Sequence, residues 1–347
     1  MILPDHIRLS AWPENDLREV LTVKNYSRVS VLVDENTKNQ CYPRLKQSLP
    51  AHQVITIPAG EQYKTIETCM QVWKAMTDQQ LDRHSVLIVV GGGVAGDLGG
   101  FCASTFKRGI DFILIPTTLL AMADASIGGK VGVDLGYYKN QIGVFREPAY
   151  TILSTVFLNT LPEKELRSGF AEVIKHALIS DKPLWDIIRV KSWKSQEWNS
   201  LVQHSATLKW RVVQHDPHEK GLRKILNAGH TIGHAIETHF LAKGQPVLHG
   251  EAIAAGLICE SKIAAQKGLI TRQDMQETSS YLLSVFGKLS LPEHPEEIAK
   301  LCYQDKKNKD NRVLMALLDG IGRARWDVEA SMAEMVDSLT YYSSLHT

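Results

Sequence analysis

Ser85-Val-Leu-Ile-Val-Val-Gly-Gly-Gly-Val-Ala-Gly-Asp-Leu-Gly-Gly100 decides the fold of the first half of this chain. The apolar run Val86–Val90, mostly β-branched, suits a strand buried on both faces. Gly91, Gly93 and Gly96 follow it and open a helix. Glycine lets backbone approach a pyrophosphate, and helix N-terminal amides stabilise negative charge. A tight strand–helix turn needing glycine only for packing has the same spelling, so the neighbouring segments must arbitrate. SVLVDE at 30–35, VITIPAG at 54–60 and FILIPTT at 112–118 each read as a buried strand ending in a turn. Between them, Thr65 to Gln80 places Ile66, Met70, Trp73 and Met76 at helical spacing. Strands alternating with helices imply a parallel sheet covered on both faces. Asp34 and Asn36 close an early strand where ribose hydroxyls are commonly held, and Thr117 and Thr118 put hydroxyls at the sheet's carboxyl edge. Taken singly, each of those pairs is more often a simple turn.

From Leu161 onward the texture changes to long amphipathic segments with few strand signals. The stretch from Pro162 begins with acidic residues and then repeats Leu166, Phe170, Val173 and Ala177 on one face. The expected fold class is therefore α/β plus all-α. A Rossmann-like parallel-sheet domain over residues 1–155 precedes a helical domain over 156–347.

Composition narrows the function. The 347 residues carry 39 Lys+Arg against 38 Asp+Glu, a net charge of +1. Such a balance lacks the dominant basic face that nucleic-acid binding needs, so an anionic ligand must be caught by a few local cations. Five cysteines without a CxxC disfavour a disulfide framework and a thiolate zinc site. No signal peptide and no membrane-length apolar run is visible, so a cytoplasmic protein without membrane partners is expected.

The chemistry-bearing residues cluster in the second half. In Asn227-Ala-Gly-His230-Thr-Ile-Gly-His234 the histidines share one helix face, as two metal ligands or as one ligand with an acid–base partner. His249 follows in VLHGEAIAAG, and three histidines within twenty residues favour a metal site. Glu172 in GFAEVIKHAL offers a carboxylate, with Lys175 three residues on; from that segment alone an ordinary surface pair is the preferred reading. The cations are Lys130 in SIGGKVGV, Lys139 beside Asn140, Lys209, Arg223 one turn before Asn227, and Lys306-Lys307. Scattered lysines are normally solvated, and DKKNKDNR looks like a polar turn.

These motifs, in this order, resemble the 3-dehydroquinate synthases, which are sugar phosphate cyclases. The match runs through GGGVAGDLGGF, ASTFKRG, IPTTLLAMADASIGGKVGVD, KNQIGVF, TLPEKELRSGFAEVIKHALI, DPHEKGLRKILNAGHTIGHAIE, LHGEAIAAGL and DKKN, roughly residues 30 to 320. Val131, Asp134, Gly99 and the Gly136-Tyr137-Tyr138 stretch depart from the family's usual residues.

The resemblance implies a carbon–oxygen lyase that converts 3-deoxy-D-arabino-heptulosonate 7-phosphate to 3-dehydroquinate and phosphate. Its steps are transient oxidation by NAD, phosphate elimination, re-reduction and aldol closure, in the shikimate pathway of aromatic amino acid biosynthesis. It implies NAD and a divalent metal, Zn or Co, as cofactors, and a homodimer. Carried over residue by residue, Glu172, His230 and His249 hold the metal, while His234 and Glu219 handle protons. Arg108, Asp124, Lys130, Asn140, Lys175, Lys209, Arg223, Asn227 and one or both of Lys306 and Lys307 bind substrate, with Arg108 reaching a neighbouring subunit's site. NAD falls to Asp34, Asn36, Glu61, Lys64, Gly92, Gly93, Val94, Asp97, Thr117, Thr118, Lys130, Lys139 and the segment from Phe157 to Thr160. Competing expectations are another sugar phosphate cyclase or a metal-dependent polyol dehydrogenase of the same fold.

Overall fold

The computed structural model describes residues 3–136, 138–304 and 312–346, so Lys306 and Lys307 lie outside the described residues. The chain divides into two compact units. The first runs to Leu166 and takes in Trp198–Trp210; the second comprises Arg167–Glu197 and the chain from Arg211 on. The division lies past residue 155, and one later segment returns to the first unit.

The first unit is built on β1 (Ile7–Leu9), β2 (Val29–Asp34), β3 (His52–Ile57), β4 (Val86–Gly91), β5 (Asp111–Pro116) and β8 (Tyr150–Leu153), all paired in parallel in the order β1-β8-β5-β4-β2-β3. The four expected strands are present. Every residue of β4 is buried, which is why its sequence is continuously apolar rather than alternating. From β2 the chain steps out to β3, returns across β2 to lay down β4, and continues the other way. The carboxyl ends of β2 and β4 therefore flank the crevice where the strand order reverses, the place where open α/β sheets bind ligands.

The Ile66–Asp78 helix starts where Thr65 accepts from the Thr68 N–H. Cys69, Val72 and Met76 are its inner face, whereas Met70, expected inside, is 60% exposed. An antiparallel hairpin that the strand signals did not announce, β6 (Lys130–Leu135) with β7 (Tyr138–Phe145), packs Val131 against the Gly93–Thr105 helix.

Among the described residues the second unit is helical, with one antiparallel pair, β9 (Val313–Leu318) and β10 (Ala324–Ala330). A bulge with Asp327 at φ 55° interrupts β10, so its period-2 pattern is broken and it did not read as a strand. The Glu163–Ser180 helix corrects the sequence reading most: every residue from Ser168 through Ile179 is buried, not a single stripe. Glu172 and Lys175 are therefore interior groups, not a surface pair. Among the described residues no helix is long and apolar enough to cross a membrane.

Candidate active site

In the first unit the glycine turn borders a pocket lined by Gly92, Gly93, Gly96, Asp97, Ser126 and Lys130 among others. A Cβ on Gly92 would come 3.0 Å from the Thr118 methyl, whereas one on Gly96 would meet no atom within 4 Å. Gly96 thus leaves room that a ligand can occupy, and the Gly93–Thr105 helix N-terminus faces the same loop. Across the crevice, Asp34 Oδ1 accepts from the Asn36 and Thr37 N–H groups at 2.8 Å, while Oδ2 faces Gly91. Asn36 therefore enters through its backbone. Thr117 donates its N–H to the Gly91 carbonyl at 2.9 Å, Thr160 donates its hydroxyl to the Phe157 carbonyl at 3.3 Å, and Thr118 accepts from the Ala121 N–H. Phe157 is buried in the core.

A charged cluster lies on the hairpin side. Buried Lys64 donates to Asp97 Oδ2 and Asn140 Oδ1, both at 2.6 Å. Burial disfavours the Lys64 ammonium, but Asp97 and Glu61 outweigh it and its pKa rises. Lys139 sits 3.7 Å from Glu61. Asn140, at φ 53°, donates its N–H to Asp134 Oδ1 at 2.6 Å, so one of the departures from the family's usual residues shapes this turn. Lys209 is buried and reaches Asp124 twice, at the backbone oxygen (2.5 Å) and at Oδ1 (2.8 Å).

The second unit gathers a histidine–carboxylate cluster from three helices. Glu172 Oε1 lies 3.2 Å from His249 Nε2 and 3.5 Å from His230 Nε2, and Lys175 Nζ pairs with Oε2. Glu172 and Lys175 side chains are each 1% exposed. Three donor atoms of Glu172, His230 and His249 lie within 4.8 Å of one another. Nitrogen and oxygen donors in a three-ligand set suit Zn²⁺ or Co²⁺ and leave positions for substrate oxygens. Burial works against a charged His249, yet Glu237 and Glu172 more than offset it and push its pKa up to about 10. His234 stacks edge-on to His230 at 5.1 Å and is 44% exposed.

Close helix approach makes this cluster possible. A Cβ on Gly250 would lie 2.1 Å from the Ser168 carbonyl, and one on Gly256 2.0 Å from the Gly229 carbonyl. Glu260 fastens the start of the His230–Ala242 helix by accepting from the N–H groups of Gly229 (2.5 Å), Thr231 (3.1 Å) and Ile232 (3.2 Å). Upstream, Asp216 accepts from the Lys220, Gly221 and Arg223 N–H groups. That turn holds Glu219 at φ 56°, where Oε1 accepts from Asn227 Nδ2 at 2.7 Å. Arg223 is buried and donates to the Pro217 carbonyl at 2.7 Å.

The 3-dehydroquinate synthase N-terminal family model matches residues 54–168 and the C-terminal one residues 169–308. A 3-dehydroquinate synthase of Parabacteroides distasonis is 34% identical over 336 residues, covering 95% of each chain. The chain belongs to the 3-dehydroquinate synthase family. The Pseudomonas fluorescens synthase is 39% identical over 311 residues, 86% of this chain and 83% of that one. Among solved structures, a 2-epi-5-epi-valiolone synthase from Streptomyces hygroscopicus subsp. jinggangensis 5008, with NAD+ and Zn2+ bound, superposes with a TM-score of 0.86 at 25% identity, covering 99% of this chain and 98% of that one.

Within this 3-dehydroquinate synthase fold, the residues singled out from sequence fall into separate groups. The glycine loop, Asp34, Thr117 and Thr118 frame the sheet's carboxyl edge. Glu61, Lys64, Asp97, Lys139 and Asn140 form one charged cluster. Glu172, Lys175, His230, His234 and His249 form another. Arg108 stands exposed, next to Lys107, with both residues at positive φ. Sequence reasoning missed Glu237, Glu260 and Asp216. Only Glu237 carried a readable signal, lying three residues after His234 on the same helix.

Proposed function

We propose that this chain converts 3-deoxy-D-arabino-heptulosonate 7-phosphate to 3-dehydroquinate and phosphate. The observation that carries the reading is Glu172 Oε1 lying within 3.5 Å of the Nε2 atoms of both His230 and His249, with Lys175 and His234 alongside. Glu172, His230 and His249 are the residues that would hold a divalent metal, and the Gly92–Gly96 loop with Asp34 would hold NAD. When bound, the metal supplies Lewis acidity at a substrate oxygen and NAD supplies a reversible hydride acceptor.

The chain's own residues do the rest. Lys175, buried beside Glu172, supplies a fixed positive charge in a region of low dielectric, where it opposes build-up of negative charge on substrate oxygens. Lys209, Lys130 and Arg223 are further cations for the carboxylate and phosphate of the substrate, Arg223 and Lys209 being pre-set by the Pro217 carbonyl and by Asp124. Asn227 is oriented by Glu219. His234, partly open to solvent, takes the proton whose removal lets phosphate leave and passes it on to solvent. Five buried free cysteines suit a reducing cytoplasm. Exposed Arg108 suits a residue that reaches a second copy in a homodimer.

The test is direct. Substrate, Zn²⁺ or Co²⁺, and NAD far below substrate concentration are mixed with the protein. Phosphate release over many turnovers without steady NADH accumulation is expected. Stoichiometric NADH without phosphate release would instead mark a polyol dehydrogenase.

A further inference from the structure

We propose that Glu237 is a positioning residue for His249, fixing that ring through Nδ1 so that Nε2 is presented toward Glu172. The proposal rests on the reading that Glu172, His230 and His249 hold a divalent metal. Glu237 lies on the His230–Ala242 helix, whereas His249 starts the next one, so the contact links two helices. Its side chain is only 9% exposed, and Oε2 lies 3.5 Å from His249 Nδ1. On the opposite side of the same ring, Nε2 is 3.2 Å from Glu172 Oε1.

An imidazole ligand needs its proton on the nitrogen away from the metal, and an acceptor there decides the tautomer. His230 shows the same arrangement with a main-chain acceptor: Nδ1 is 3.1 Å from the Ala228 carbonyl and Nε2 is 3.5 Å from Glu172 Oε1. Each Nδ1 thus faces an acceptor, the Ala228 carbonyl at hydrogen-bond distance for His230 and the Glu237 carboxylate at 3.5 Å for His249. Glu237 could also be grouped with His234 and His249 as ligands, since their donor atoms lie within 4.8 Å. Two observations favour the positioning role: His234 is 44% exposed with Nε2 4.0 Å from Glu237, and both remaining Nε2 atoms converge on Glu172 instead.

The experiment is titration of metal-free full-length protein with Co²⁺, reading affinity by chelator competition and ligand identity by the visible Co²⁺ spectrum. Glu237→Ala should weaken Co²⁺ binding about 10–100-fold. Glu237→Gln, which keeps an acceptor, should restore most of that loss, and both should reach the wild-type spectrum at saturation. Melting of the metal-free proteins confirms folding, and if Glu237→Ala does not fold, Glu237→Asp replaces it by withdrawing the carboxylate one methylene. Wild-type affinity in the truncated variant, or an altered saturated spectrum in Glu237→Gln, overturns the proposal. His230→Ala is the arm that tests the underlying metal reading: if it binds Co²⁺ like wild type, the metal assignment itself is wrong.

Discussion

At Gly96 the position of a side-chain methyl holds no atom within 4 Å, while at Gly256 the same methyl would lie 2.0 Å from the Gly229 carbonyl. Both glycines belong to helices that carry candidate site residues, yet one leaves space and the other has used it up. In the first unit glycine keeps the crevice at the ends of β2 and β4 open to a ligand. In the second, Gly250 and Gly256 let three helices approach closely enough for Glu172, His230 and His249 to converge. The same residue type therefore builds a site in two ways, by vacancy and by contact. The electrostatics differ in parallel. Lys64 keeps two partners on neighbouring segments, whereas Lys175 is sealed beside Glu172 with both side chains 1% exposed.

The sharpest way to break that contrast is to neutralise one carboxylate in each unit. Glu172→Gln strands the buried Lys175 charge, and removing one partner of such a pair costs about 3–5 kcal/mol. Asp97→Asn should cost clearly less, because Lys64 keeps the Asn140 carbonyl at 2.6 Å and the Asp97 side chain is 21% exposed. Chemical denaturation of both variants checks the order, and metal analysis should show the loss confined to Glu172→Gln. Equal destabilisation would erase the distinction between the two units. A smaller effect separates the glycines themselves. Gly256→Ala overpacks a helix crossing, typically worth about 1–3 kcal/mol, and should take metal binding with it. Gly96→Ala should leave the melting temperature unchanged or raised, since alanine is the better helix former by about 1 kcal/mol, yet weaken NAD binding by filling the crevice. A Gly96→Ala protein that binds NAD normally would show that the open space is not the dinucleotide's.

The first unit was the more legible in sequence, and the reason is geometric. Parallel strands buried on both faces are spelled as unbroken apolar runs, and Val86–Val90 followed by glycines needs no distant partner to be read. The Glu172–Lys175 pair needed two. Its helix is buried all round over Ser168–Ile179, but Glu172, Lys175 and His176 interrupt the apolar pattern, so the segment spells an amphipathic surface helix. The partners that make burial tolerable, His230 and His249, lie far along the chain. Glu260 was invisible for the same reason: in ICESKIAA it looks like a solvated residue, and only the neighbouring helix start reveals a buried cap. The hairpin of β6 and β7 was hidden by its glycines and lysines.

The Asp216–Asn227 segment sharpens the comparison from a third side, because there a carboxylate rather than space or packing sets the geometry. Asp216 accepts from Lys220 N–H at 2.9 Å, Gly221 N–H at 2.6 Å and Arg223 N–H at 3.1 Å, closing the turn that carries Glu219 and Arg223. Burial alone would raise the Asp216 carboxyl, but those three donors with the Arg223 charge outweigh it and hold it below the usual carboxylate range. The folded pKa is depressed, so the stabilisation is fully present above the unfolded value of about 3.9 and is lost as pH falls through the folded one. Asp216→Asn should therefore destabilise the protein modestly at pH 7, by about 1 kcal/mol for a partly exposed charge-assisted cap. That deficit should begin to shrink as pH falls below ~4 and vanish only once pH is below the depressed folded value, where the native carboxylate is protonated as well. Urea unfolding of both proteins at pH 7, 5 and 3 measures it. A deficit that stays constant across the series would mean that the Asp216 charge contributes nothing and that shape alone holds the turn, as it does at Gly256.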